Sequence, residues 1–335
     1  MASPPTSRLD ISHLDGTVHF FCSKGIADST HKTYQSALRR FGSFCSRYGI
    51  LSPFPVSEAL LCYYASFLAT QQLSPQTIKT YLAAIRYMQI ILGLPEPRAF
   101  SSLPRLRLVQ TGIQRTHLQR VSSPPRVRLP VTSAILTRIK GHWSGKASDP
   151  DITMLWAAAC LCFFGFFRSG EITVPNGQNY DPAIHLSWGD VAVDNPANPT
   201  AIRVHLKRSK CDQFSQGVNV FVGRTNMPVC PVAAVLAYIA VRGAAEGPFF
   251  QFANGQLLSK QKFVSAFRQA LQAIGLPYQD FAGHSFRIGA ATAAAKAGIE
   301  DSVIRTLGRW NSAVFLTYIR TPRESLARFS SRIAS

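Results

Sequence analysis

Acidic residues are scarce: 17 Asp and Glu stand against 36 Lys and Arg, a formal net charge of +19. Between residues 97 and 148 there are none at all. Clustered carboxylates are absent, and so is an H-E-x-x-H pair, which leaves metal-dependent chemistry without an obvious seat. No G-x-x-x-x-G-K-[ST] loop is present to cradle a nucleotide. The seven cysteines are an odd set without zinc-ligand spacing, so they read as buried free thiols of a reducing compartment. No apolar core of a secretory signal occurs in the opening MASPPTSRLDISHLDG. The longest apolar run, residues 152–167, has 16 residues between Asp151 and Arg168. A membrane span needs roughly 18–20, so the run reads as a buried core helix and no membrane partner is expected. No internal repeat at a period of 20–50 residues is visible.

What remains is a basic, core-forming chain. Apolar residues make up 46% of 335 positions, enough for about two domains with real cores. The positive excess points to a polyanion, with double-stranded DNA, RNA and an anionic membrane surface as candidates. Residues 1–25 read as a loose arm with Phe20 and Phe21 as apolar anchors. A first helix starts near Ser29, with Tyr34, Leu38, Phe41 and Cys45 on one face. A second runs from Ser57 to about Gln71. A third opens on Ser74-Pro75, a serine cap followed by proline at the first helical position, and stops at Gly93. A fourth, strongly basic, runs from Ser102 to about Arg120. Between residues 29 and 130 two acids face 13 Lys and Arg. An ordinary helical bundle mixes both signs on its solvated faces, so this imbalance reads as a surface that tracks phosphates. Its candidate DNA contacts are Lys32, Arg39, Arg40, Lys79, Arg86, Arg105, Arg107, Arg115, Arg120, Arg126 and Arg128.

Residues 121–130, VSSPPRVRLP, form the domain linker. Thr132 caps the next helix, and the apolar helix over 152–166 follows. Short strands are expected at 183–188, 200–206 and 218–222, with 248–252 as a further short strand. Helices are expected over 231–242 and 259–274, from His284 to Ala297, and from Asp301 to Leu307. Tyr318 is expected on a further short helix. The tail 324–333 places Leu326, Phe329 and Ile333 on one apolar stripe.

Several residues in this half have chemistry that fits a phosphodiester. Arg168 follows the buried run, and an arginine there must find an anion; its planar fork matches phosphate. Glu171, one turn on, can orient it or neutralise the pocket, and the plainer reading is a surface ion pair. Lys207 and Lys210 lie at the tip of an expected hairpin, where a lysine can protonate a leaving oxygen or merely face solvent. His284 and Arg287, three apart, share a helix face at a helix start, where the dipole favours an anion. Trp310 and Tyr318 read singly as core aromatics.

The order of these pieces carries more than any one of them: FRSGEI (167–172), SKCD (209–212), HSFR (284–287), LGRW (307–310) and TYIR (317–320). In that order, over roughly residues 25–335, the chain resembles the tyrosine recombinase/phage integrase family. HSFRIGAATAAA and LGRWNSAVFLTYIR look most like recombinases of eukaryotic DIRS/Ngaro-type retrotransposons or Crypton-like elements. The resemblance implies a mainly α fold with a small antiparallel β-sheet: a helical, SAM-like core-binding domain over 26–120 and an α+β catalytic domain over 131–335. It implies a site-specific DNA recombinase needing no cofactor, with Arg168, Lys210, His284, Arg287, Trp310 and nucleophile Tyr318 as catalytic residues and Glu171 in support. It further implies a 3′-phosphotyrosyl intermediate, a homotetramer on two DNA sites and a place in the nucleus. Bacterial relatives usually carry His or Trp nine residues before the tyrosine; Arg309 stands there and Trp310 at eight, and the role is given to Trp310. Ser-Lys-Cys-Asp resembles the family's Ser-Lys-Thr, which selects Lys210 over Lys207. A domesticated, non-catalytic DNA-binding protein and a type IB topoisomerase-like enzyme are the competing readings. The apolar stripe of 324–333 suits docking on a neighbouring subunit. Deleting residues 324–335 should therefore lower assembly on DNA more than DNA binding, and unchanged oligomerisation on DNA after that truncation would refute it.

Overall fold

A computed structural model of the chain describes residues 11–95, 103–120, 127–146, 148–209, 212 and 216–320. The chain divides into two compact units, Met1–Pro125 and Arg126–Ser335.

The first unit is helical. The loose arm expected over 1–25 is helical where it is described: a 3-10 turn, Ile11–Leu14, leads into α1, Asp15–Lys24, with no buried residue in either. Helix α2 (Asp28–Arg47) buries Ala37, Phe41, Phe44 and Cys45 at helical spacing. Helices α3 (Glu58–Thr70) and α4 (Pro75–Ile91) start on Ser57 and Ser74, whose hydroxyls accept the backbone N–H of Leu60 and Thr77. Phe41, Phe44 and Tyr64 pack ring to ring at the centre of this unit. Helix α5 (Pro104–Arg120) buries only Leu106. Its start is fastened by Glu58, whose carboxylate accepts the Leu106 N–H at 3.0 Å. One of the two acids of this region is thus spent on a helix N-terminus, where negative charge is favoured.

The second unit is built round α7 (Pro150–Phe164), whose residues 157–163 are all buried. It packs against α9 (Pro231–Arg242) and α11 (Gly283–Lys296). Around them lie α6 (Ser133–Ser144, capped by Thr132), α8 (Ser169–Ile172), α10 (Lys260–Ala273, capped by Ser259) and α12 (Asp301–Leu307). Three antiparallel strands, β1 (Val191–Val193), β2 (Ala201–Leu206) and β3 (Val218–Gly223), lie in the order β1-β2-β3 with Val204 opposite both Val191 and Val220. Ile202, Val204, Leu206 and Val222 face the core, while Arg203 and Phe221 face out. No helix of the described residues is long and apolar enough to cross a membrane.

Two expected strands are absent. Residues 183–188 carry only an isolated bridge from Ser187 to Pro248. Local side chains capture the backbone here instead: Asp181 accepts the Ala183 N–H, His185 Nδ1 accepts the Asp181 N–H, and Asp190 accepts the Ser187 N–H. Residues 248–252 likewise make only isolated bridges, the second from Gln251 to Leu257.

Helix α11 is rich in small residues, and the chain beside it comes close. The Val131 N–H reaches the Ser285 carbonyl at 2.9 Å, and a Cβ on Gly289 would lie 1.6 Å from the Val131 carbonyl oxygen. Backbone, unlike a side-chain tip, cannot swing away. Gly289→Ala should therefore destabilise by about 1–3 kcal/mol or more, lowering Tm by several degrees; an unchanged melting curve would contradict this packing.

Candidate active site

The site starts where α7 stops. Gly165 ends the helix, Phe166 takes a left-handed φ of 52°, and the chain turns so that Arg168 becomes the N-cap of α8. Glu171 closes this turn: it accepts the Arg168 backbone N–H at 2.9 Å and pairs with the Arg168 guanidinium at 2.7 Å. The other oxygen's partner comes from 138 residues away, Arg309 Nη2 at 2.8 Å. The Glu171 side chain is 6% exposed, so the carboxylate sits largely out of water between two guanidiniums.

A third arginine lies beneath. Arg287, on α11, is wholly buried. It donates to the carbonyl of Phe166 and, at 2.7 Å, to that of Gly308, and its Nε finds no hydrogen-bond partner among the described residues. Its guanidinium lies over the ring of Trp310 at 4.4 Å and that of Tyr318 at 5.8 Å, both cation–π geometries. Burial first, then repulsion from Arg168, lowers its pKa to about 10. Three guanidiniums around one carboxylate leave a surplus of two positive charges at this end of α7. The arrangement favours an anion.

The turn after α12 supplies the aromatic wall. Arg309 and Trp310 donate their N–H groups to the carbonyls of Thr306 and Arg305, the paired bonds of a Schellman cap. Arg309 sits at its left-handed position with φ 53°. A Cβ on Gly308 would meet the Trp310 ring at 1.7 Å, so only glycine lets the indole fold back. Trp310 is buried and lies 5.1 Å from the Tyr318 ring; its Nε1 finds no hydrogen-bond partner among the described residues. His284, exposed at the start of α11, lies 6.1 Å from Tyr318 ring to ring. Tyr318 itself is half-buried, just after the 3-10 helix Ala313–Thr317.

The structure therefore gathers Arg168, Glu171, His284, Arg287, Trp310 and Tyr318 in one place. Lys210 lies outside the described residues. Lys207 does not point to solvent: its Nζ is 2.6 Å from Asp190 and from the Ser187 hydroxyl, which also accepts from Tyr180 at 2.6 Å. Among the candidate DNA contacts, Lys32, Arg39, Lys79, Arg86, Arg105, Arg107, Arg115 and Arg120 are exposed and Arg40 is half-buried. Arg128 instead donates to the Gln279 carbonyl at 2.9 Å, and Arg126 lies outside the described residues. No group of three His, Cys, Asp or Glu side chains that could hold a metal ion occurs among the described residues.

Two features had no clear signal in the sequence. Asp190 gives none as the partner of Lys207. Thr292, on α11, receives the Arg320 N–H at 3.0 Å and donates to the Tyr318 carbonyl at 3.3 Å, so it pins the tyrosine segment to the helix that carries His284 and Arg287. Thr292→Val should raise hydrogen exchange at the Arg320 amide by about five- to tenfold, the equivalent of one ordinary hydrogen bond; Thr292→Ser should not, and equal exchange in all three proteins would remove Thr292 from this role.

No family model matches the chain. A curated relative, an integrase/recombinase xerD homolog of Selenomonas ruminantium, is 24% identical over 298 residues, covering 86% of this chain and 80% of its own length. Among solved structures, the XerH site-specific recombinase bound to a palindromic difH substrate has a TM-score of 0.61 at 12% identity, over 91% of this chain and 80% of its own. The integrase of transposon Tn1549, in complex with transposon right end DNA, has 0.56 at 14% identity, over 92% and 95%. The chain has the fold of the tyrosine recombinases, and its curated relative supports the tyrosine recombinase/integrase family.

Proposed function

We propose that the chain is a site-specific DNA recombinase that cuts and rejoins strands through Tyr318. The observation that carries this is the placement of that phenol against Trp310, with the Arg287 guanidinium 5.8 Å from its ring and His284 beside it. The Tyr318 oxygen attacks a scissile phosphorus; the new bond is a 3′-phosphotyrosyl ester, and the bond that breaks releases a 5′-hydroxyl. Energy stays in the ester, so a 5′-hydroxyl of another strand reverses the step. No nucleotide or metal enters this balance.

The roles follow from exposure. Of the three guanidiniums, that of Arg168 is the most open, 18% exposed, and it meets the non-bridging oxygens. Arg287 spends its Nη donors on two carbonyls, so its share is charge delivered from beneath the phenol. His284 takes the phenolic proton. The proton for the leaving oxygen is assigned to Lys210, since Lys207 is committed to Asp190 and Ser187. Trp310 walls the phenol from water.

The exposed cations of α2, α4 and α5 serve as the phosphate-tracking surface. A homotetramer on two sites is the working assembly, integration of a mobile element the process, and the nucleus the compartment. The sequence pattern HSFRIGAATAAA with LGRWNSAVFLTYIR favours an element of DIRS/Ngaro or Crypton type.

The test uses a pool of nicked duplexes with a randomised centre, so that a cleaved end diffuses away and traps the enzyme. The wild-type chain should form a covalent adduct that survives detergent; Tyr318→Phe should form none, and Arg168→Ala should slow it about 10²–10³-fold, as deletion of one preorganised donor does. No adduct with the wild type, or an adduct that persists in Tyr318→Phe, would overturn the reading.

A further inference from the structure

Arg309 occupies a backbone position that an arginine should avoid. In a Schellman cap the left-handed residue is usually glycine, because a Cβ there is strained. Here that residue has φ 53° and carries the longest side chain available. Strain kept at a site asks what the side chain does in return. Its contacts answer inward: Arg309 donates to the carbonyls of Gly165 and Phe166 at 3.1 and 3.3 Å and pairs with Glu171 at 2.8 Å, its guanidinium over the Phe167 ring. The side chain is 10% exposed, against 18% for Arg168.

We propose that Arg309 is a positioning residue, the standing counter-ion of Glu171, which lets Arg168 leave that carboxylate for a DNA phosphate without stranding a buried negative charge. The inference rests on the recombinase reading above. Glu171 holds two cations, one on each oxygen. When phosphate takes Arg168, a carboxylate left alone would repel the phosphate and pull the guanidinium back. Arg309 removes that conflict from the carboxylate oxygen that the Arg168 guanidinium does not use, the one that also accepts the Arg168 backbone N–H. The assignment differs from a phosphate contact by Arg309 itself, and the two readings part on what Glu171 contributes.

The experiment uses the nicked duplex pool, the full chain and a thermal melt of each variant. Arg309→Gly restores the residue the turn ordinarily takes, so the fold is kept; adduct formation should fall about 100-fold with DNA affinity unchanged. Adding Glu171→Gln, which removes the charge needing compensation, should recover about tenfold of that loss, a coupling typical of residues in contact. Arg309→Lys, which keeps the charge without the fork, should stay within about tenfold of wild type. If Arg309→Gly cleaves normally, if Glu171→Gln fails to restore it, or if Arg309→Lys is as slow as Arg309→Gly, the inference is wrong while the recombinase reading stands. No adduct from the wild-type chain would overturn both.

Discussion

A single guanidinium holds the candidate-site end of the second unit together. Arg287 bonds the carbonyl of Phe166, just past the end of α7, and that of Gly308, where α12 ends, and its guanidinium lies over the rings of Trp310 and Tyr318. Those segments are 121 and 21 residues away from it along the chain. The Gly308 carbonyl is at the C-cap of α12, where the last acceptors lack partners within the helix, and the Phe166 carbonyl lies in the turn just past α7. A cation is well matched to such termini, and its burial is tolerable because they, the aromatic faces and Glu171 replace the lost water. Its charge is nevertheless incompletely met, which is the electrostatic condition for admitting an anion next door.

Around that fastening, the site is layered by accessibility. Arg287 lies at the bottom, Arg309 and Glu171 above it, Arg168 nearer the surface and His284 exposed. Sequence order does not foretell this layering. The arginines that look equivalent in a motif differ in what they can touch: one braces the backbone, one balances a carboxylate, one is open to a ligand.

Much of the fold was readable because its signals are local. Ser57, Ser74, Thr132 and Ser259 announce helix starts through hydroxyls that accept the second or third N–H, and each does so. The buried run at 152–164 needs only its apolar length. The residues gathered at the candidate site (Arg168, Glu171, His284, Arg287, Trp310 and Tyr318) stand in the sequence as an ordered set, with His-x-x-Arg placing two side chains one turn apart on α11, while Lys210 lies outside the described residues. What failed was tertiary. Residues 183–188 alternate like a strand, yet Asp181, His185 and Asp190 capture the backbone first. The pairing of Arg309 with Glu171 spans 138 residues, and the left-handed turn that aims it looks in sequence like any Gly-Arg. Thr292 and Asp190 are ordinary residues until their partners are in place.

The anchorage of the tyrosine segment on α11 also constrains how the chain can be switched. Through Thr292, the phenol, the imidazole and the deep guanidinium ride on one rigid rod. Sliding that rod carries all three together and leaves their mutual distances intact. Withdrawing Tyr318 from this group would mean tearing its segment off the helix. On the proposed reading, the cheaper brake is the Glu171 carboxylate, which must release Arg168 before a phosphate can take it.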